Sequence, residues 1–347
     1  MKILAVADHF IRVEHYEECL KNYPEYELKT LFWGSEDRIE MRDLFHKVEK
    51  NGPTALPIPE ELYTEIEDAD ILMVHICPVP GDLIKRGKKL RAILVNRGGL
   101  ENIDVATATE CGVQVFNNPA HNANAVAEMT VALMIAESRN MVRSHYAIKN
   151  GDWRENYSNF GNIWEMKGKT VGIIGFSTIG RLVAEKLSSF RCKIMATDIK
   201  YDPDDEFIKK YNIQMVDLPT LMRESDYVSL HARANKCILT ADMLNLMKPT
   251  AIFVNTARAH MVDYDALYDL LKNNKILGAA LDVFPSEPLS LDNPFLSLDN
   301  VTLTSHRCGD TVNAYSDSPA MMMEDYANYL KTQKHRFFVN KLALENK

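Results

Sequence analysis

Residues 169–198, KTVGIIGFSTIGRLVAEKLSSFRCKIMATD, restrict the possible folds more than any other stretch of the chain. Val171 to Ile174 is a short run without a polar side chain, as in a strand buried on both faces of a parallel sheet. Gly175 to Gly180 turns sharply, and Ile179, Leu182, Val183 and Leu187 then fall on one face of a helix. Lys193 to Thr197 reads as the next strand, and Asp198 ends it.

This order of strand, glycine turn, helix and strand suits a dinucleotide. The helix N-terminus offers free backbone N–H groups to a pyrophosphate, Gly175 permits the tight turn, and Gly180 lets helix and strand pack closely. Asp198, 18 residues after Gly180, is placed to accept hydrogen bonds from a ribose diol, which favours NAD over NADP. Ser177 stands where the middle glycine is expected, so the fingerprint is G-x-S-x-x-G, with a hydroxyl able to donate to a phosphate oxygen. Gly168-Lys169-Thr170 has the tail of a P-loop, but it precedes its strand and Ile163 occupies the place of the first glycine.

The 347 residues suffice for two domains, each with its own core. Forty basic against 48 acidic residues leave a net charge of −8 without long runs, which argues against a nucleic-acid surface or a polybasic membrane patch. An anionic substrate must then be held by a few local cations. Six cysteines, at 19, 77, 111, 192, 237 and 308, show no C-x-x-C spacing, so no metal site or disulfide framework is expected. The chain opens on a strand without an apolar leader, and no run approaches a membrane span, so the expected compartment is the cytoplasm.

Strand and helix patterns alternate along the chain. Apolar runs at 3–7, 71–74, 92–95 and 113–116, with an alternating run at 26–32, predict a small doubly wound domain. Pro53, Pro57 and Pro59 mark a loop. Residues 124–139 form a helical pattern apolar on most faces, expected to be buried between domains or subunits. Further strands are expected at 213–216, 227–230, 251–254, 276–281 and 301–303, with helices near 241–247 and 264–273. Polar residues follow three of these strands, in VNTAR (254–258), LDVFPSEP (281–288) and LTSH (303–306), at the strand ends where open α/β sheets bind ligands.

At these positions the chain resembles the D-isomer-specific 2-hydroxyacid dehydrogenases. The resemblance is carried by RGGLENID (97–104), FNNPAHNANAVAE (116–128), KGKTVGIIG (167–175), NTAR (255–258), GAALDVFPSEP (278–288) and TSH (304–306), in that order over nearly the whole chain. It implies an α/β fold with a Rossmann NAD-binding domain at 120–307. A flavodoxin-like doubly wound substrate domain is then built from both chain ends, 1–119 and 308–347. It also implies a homodimer formed through the NAD domain and hydride transfer between NAD(H) and C2 of a small 2-hydroxy or 2-keto acid. Phosphoglycerate-like, glyoxylate- or hydroxypyruvate-like and sugar-derived acids all remain open. An NAD(H)-responsive regulatory protein that reuses the fold is the alternative.

By the same resemblance Arg258, Glu287 and His306 take the catalytic roles. Arginine's planar fork can hold a carboxylate and polarise the adjacent carbonyl, and histidine can supply the proton that reaches the oxygen. A carboxylate beside the imidazole fixes its tautomer. Cofactor contacts are expected from Gly175, Ser177, Thr178, Ile179, Gly180, Asp198, Asn235, Thr256, Ala257, Arg258 and His306. Asp282 is expected at the carboxamide end, while Gly98, Gly99, Asn122 and Arg258 are expected to bind substrate. The chain departs from the family pattern at Arg233, where proline is usual, at Ala259, where glycine is usual, and at Ser305, where T-P-H is usual. Arg97 and Arg307 are the candidates to reach a second anionic group on the substrate.

Overall fold

A computed structural model describes residues 1–334 and 337–345. The chain forms two compact units, 1–122 with 311–347 and 123–310, dividing three residues beyond the expected boundaries. Residues 335, 336, 346 and 347 of the expected outer domain lie outside the described residues.

The first unit is built on five strands: β1 (Lys2–Ala7), β2 (Glu27–Phe32), β3 (Ile71–Val74), β4 (Ala92–Val95) and β5 (Gln114–Asn117). All pair in parallel in the order β2-β1-β3-β4-β5, the flavodoxin-like order, whose direction reverses between β1 and β3. Because side chains alternate across a strand, Leu4, Val6, Leu72, Val74, Ile93 and Val95 fill the core on one face. Ile3, Ala5, Ile71, Met73, Ala92 and Leu94 fill it on the other. The helix Ser318–Thr332 returns to that second face, where Met322, Met323, Tyr326 and Tyr329 complete the core begun by the N-terminal strand. Asn340 caps the edge: its amide accepts from Val115 N at 2.9 Å and donates to Val113 O at 2.9 Å.

The second unit holds β6 (Thr170–Ile174), β7 (Lys193–Thr197), β8 (Gln214–Met215), β9 (Tyr227–Leu230), β10 (Ile252–Asn255), β11 (Gly278–Leu281) and β12 (Val301–Leu303). Their order, β12-β11-β10-β9-β6-β7-β8, is the Rossmann arrangement with one added strand, and it reverses between β6 and β9. The apolar helix, Ala123–Ser138, is buried in this unit's own core, with Val126, Val131 and Met134 packed among Val171, Ile173 and Val183. Helices Glu60–Glu65, Met141–Lys149 and Leu218–Glu224 were not anticipated. Each is short, and Pro59 and Pro219 stand at the starts of the first and the last, where proline is tolerated but reads as a breaker. Among the described residues no helix is long and apolar enough to cross a membrane.

Glu137 ties the second unit together. Buried at 1% exposure, it receives two N–H bonds from Arg143 at 2.8 and 3.0 Å and the Thr302 hydroxyl at 2.7 Å. Burial pushes its carboxyl up to about 7 against the pull of Arg143. Gly278 makes room, since a Cβ there would lie 2.2 Å from Glu137 Oε1 and 3.0 Å from Asn300 O. Gly278→Ala is therefore expected to lower unfolding stability by roughly 1–3 kcal/mol, read from urea denaturation.

His231, just past β9, is bonded through Nε2 to the Ser229 hydroxyl at 2.8 Å, and burial pushes its imidazole down to about 3. The unfolded chain then binds a proton below about pH 6.5 that the native state refuses, so this contribution to stability is complete above that pH and is lost as pH falls toward 3. The expected outcome is a thermal midpoint that drops on acidification from pH 6.5 to 4.5, with a shallower slope in His231→Gln.

Candidate active site

Three neighbouring strands of the second unit, β10, β11 and β12, end in register, with Asn255 opposite Leu281 and Leu281 opposite Leu303. Arg258, Glu287 and His306 stand on the loops that leave these ends. The His306 Nδ1 lies 2.8 Å from Glu287 Oε2, while Glu287 Oε1 accepts from the Phe284 backbone N–H at 2.8 Å. One carboxylate thus fixes its own loop and the imidazole together. His306 adopts φ +54, a left-handed conformation that costs a β-carbon-bearing residue about 1 kcal/mol or more.

Asp282 holds the His306 loop in place. Its carboxylate, 1% exposed, accepts from Thr304 Oγ1 at 2.6 Å, from Arg307 N at 2.9 Å and from Cys308 N at 3.1 Å. Sequence reasoning assigned Asp282 only to a cofactor contact and missed this bracing role, because nothing in the sequence shows that residues 304–308 fold back onto it. A second link went unseen for the same reason. Asn255 Nδ2 approaches the Arg258 carbonyl at 3.4 Å and the Tyr264 hydroxyl at 3.3 Å, and that hydroxyl donates to Val283 O. The Arg258 guanidinium is exposed and bonded to the Ala257 carbonyl at 2.8 Å.

The glycine turn lies at the reversal between β6 and β9. Gly175 has φ +91, and a Cβ on it would lie 2.4 Å from Ala232 N; one on Gly180 would lie 2.2 Å from Gly175 O. The helix Thr178–Ser188 starts here, and its first backbone bond runs from Arg181 N to Ser177 O at 3.0 Å. The N–H groups of Thr178, Ile179 and Gly180 therefore point out of the helix end without an intrahelical acceptor, as a pyrophosphate requires. Asp198 Oδ2 accepts from Phe176 N at 2.6 Å and Oδ1 from Lys200 N at 3.0 Å, which fixes the carboxylate and leaves lone pairs for a diol. These residues fit NAD. Thr256 is bonded to Thr130 at 2.9 Å, Ala257 N donates to Asn255 Oδ1 at 3.0 Å, and Asn235 is exposed on the loop after β9. Among the described residues no three His, Cys, Asp or Glu side chains converge as metal ligands.

In the first unit, Gly98 and Gly99 follow β4. The N–H groups of both make no hydrogen bond to the described residues, and the Gly98 carbonyl accepts from Asn117 Nδ2 at 2.7 Å. Asn122, half-buried, likewise bonds to no described residue. Arg97 is already neutralised: it pairs with Glu49 and, at 2.9 Å, with Glu101, and its guanidinium lies 4.9 Å from the centre of the Phe45 ring. Arg307 pairs with Asp310. Neither arginine stands as a spare cation for a second anion.

Residues 131–308, just over half of the chain, match the model of the D-isomer specific 2-hydroxyacid dehydrogenase NAD binding domain. The chain is 37% identical over 289 residues to D-3-phosphoglycerate dehydrogenase of Methanocaldococcus jannaschii, covering 81% of this chain but only 53% of that protein. It is 35% identical to glyoxylate reductase of Thermofilum pendens, over 83% of this chain and 86% of that one. With hydroxypyruvate reductase of Thermotoga maritima it shares 38% identity over 74% and 83% of the two chains. The NAD-complexed D-isomer specific 2-hydroxyacid dehydrogenase from Lactobacillus delbrueckii ssp. bulgaricus has the same fold, with a TM-score of 0.76 over 98% of this chain and all of that one, at 23% identity. The chain belongs to the D-isomer specific 2-hydroxyacid dehydrogenase family.

Proposed function

We propose that the protein catalyses reversible hydride transfer between NAD(H) and C2 of a small 2-hydroxy or 2-keto acid, with the 123–310 unit as its NAD domain and the unit built from both chain ends as its substrate domain. The observation that carries this reading is the braced Glu287–His306 pair, which shares one sheet edge with Arg258 and the glycine turn.

NADH, when bound, supplies the hydride. The N–H groups of Thr178, Ile179 and Gly180, with Ser177, hold the pyrophosphate in the turn made by Gly175, and Asp198 accepts from the ribose diol. Asn235, Thr256, Ala257 and Asp282 line the remainder of that site. Arg258 holds the keto acid and draws charge toward the carbonyl oxygen. Glu287 accepts a hydrogen bond from the Nδ1–H of His306, which leaves Nε2 as the atom that delivers a proton in reduction and removes one in oxidation. The unpaired N–H groups of Gly98 and Gly99 suit the substrate carboxylate, and Asn122 has an uncommitted amide to offer the substrate.

Two further features belong to this reading. The second unit exposes the large apolar side chains Tyr146 at 71%, Trp153 at 79% and Phe160 at 73%, which a second copy of the chain would cover in a homodimer. All six cysteines are unpaired, in keeping with the cytoplasm.

The test is NADH oxidation with a panel of 2-keto acids. His306→Ala is expected to lower kcat by about 10²–10⁴ while NADH binding persists. Arg258→Lys should cut kcat/KM by about 10- to 100-fold, since lysine cannot reproduce the planar fork. Tight NADH binding without turnover on any keto acid would favour the regulatory alternative. Light scattering of the purified protein is expected to give twice the chain mass, and Trp153→Asp combined with Phe160→Asp to shift it toward the monomer.

A further inference from the structure

The loop that leaves β7 begins at Asp198 and runs to Asp205, and its far end is clamped to the helix of the glycine turn. Asp205 uses its two oxygens separately. Oδ1 accepts from Phe207 N at 2.8 Å and so caps the helix Glu206–Lys210, while Oδ2 accepts from the guanidinium of Arg181, the residue after Gly180. That guanidinium holds the Asp205 carboxyl below the usual carboxylate range.

Arg181 is also sandwiched. Its guanidinium carbon lies 5.2 Å from the centre of the Phe176 ring and 5.2 Å from that of Phe207, two rings that meet edge to face at 6.1 Å. The rings keep the cation where it is, whether or not Asp205 balances its charge. Phe176 joins this cluster to the dinucleotide site. It is the second residue of the glycine turn, and its backbone N–H donates to Asp198 Oδ2 at 2.6 Å. One residue thus bonds the acid placed to read the ribose diol and carries a ring on which the arginine rests.

NADP differs from NAD by a phosphate on the 2′-oxygen of that ribose, and in this fold a nearby arginine accommodates it. Here an arginine stands beside the reading acid with its charge already taken up. We propose that Asp205 and Arg181 are a second selectivity element for NAD over NADP: Asp198 repels a 2′-phosphate directly, and Asp205 occupies the guanidinium that would otherwise compensate it. This rests on the NAD site of the dehydrogenase reading and adds two residues that make no part of it. The remaining acids of the segment act differently. Asp204 and Glu206 pair with Lys209, and Asp202 is exposed, so they contribute a general negative field without withholding a cation from the ribose. Lys200, the other cation of the loop, is exposed as well.

The test measures the dissociation constants of NAD⁺ and NADP⁺ by calorimetry for the wild type, Asp198→Asn, Asp198→Asn with Asp205→Asn, and that double variant with Arg181→Met added. Asparagine at 205 keeps the helix cap and removes only the charge, and methionine at 181 keeps an apolar stem between the rings. The wild type is expected to prefer NAD⁺, and Asp198→Asn to narrow the preference. Adding Asp205→Asn should raise the affinity for NADP⁺ relative to NAD⁺ by about a further 10-fold, and adding Arg181→Met should abolish that second gain. Asp202→Asn in place of Asp205→Asn is expected to give less than half of it on a logarithmic scale. The proposal is overturned if the second gain is absent, if it survives without Arg181, which would assign it to Lys200, or if Asp202→Asn reproduces it, which would assign it to the field alone. A wild type that prefers NADP⁺ overturns it too, while the dehydrogenase reading stands. A wild type that binds neither dinucleotide overturns both.

Discussion

The buried carboxylate of Asp282 is the fixed point of the carboxyl edge of the second unit's sheet. It stands one residue past β11 and gathers three donors from the 304–308 loop, so the chain leaving β12 cannot drift from its neighbour. A carboxylate removed from water is costly unless its lone pairs are used, and here that requirement dictates the path of the loop. His306, held at positive φ, keeps that conformation because the loop on its C-terminal side is tied down. Glu287 then closes the arrangement by bonding both its own loop and the imidazole.

The same logic of strand ends applies to both units. A parallel sheet buried on two faces spends its apolar side chains on the core and leaves the loops past its strands to carry polarity. Each sheet also reverses its strand order once, which opens a crevice at its carboxyl edge. In the second unit Gly175 occupies that point, where any side chain would collide with the backbone of Ala232. In the first unit Asp8 and His75 occupy it. Charge follows the same division. The turn after β6 leaves the first N–H groups of the Thr178–Ser188 helix without intrahelical acceptors, while past β4 Arg97 is already paired with Glu49 and Glu101.

Much of the fold was legible because its strands are short and wholly apolar. Runs such as Ile71–Val74 and Ala92–Val95 are too short for a buried helix and are bounded by polar residues, which favours strands buried on both sides. The short helices at Glu60–Glu65 and Leu218–Glu224 were hidden by prolines that begin them instead of breaking them. The two-residue strand β8 carries too little pattern to be bounded from sequence. In the candidate site, Arg258, Glu287 and His306 stood out as polar residues past apolar runs, and it was the family resemblance that gave them roles. Asp8 and His75 carried the same signal and were passed over.

The sequence by itself determined the local chemistry: the glycine turn with its helix, the acid that ends β7, and the residues past each strand. These depend on φ/ψ preference and side-chain periodicity within a few residues, so a single chain displays them. Only the tertiary structure decided which strand ends lie side by side, and therefore that Asp282 braces the His306 loop. It also decided that Glu49 and Glu101 balance Arg97, and that Asp8 orients His75 across 67 residues of chain. Whether a charged side chain is available to a ligand depends on which partners the fold delivers to it, and those partners are distant in sequence.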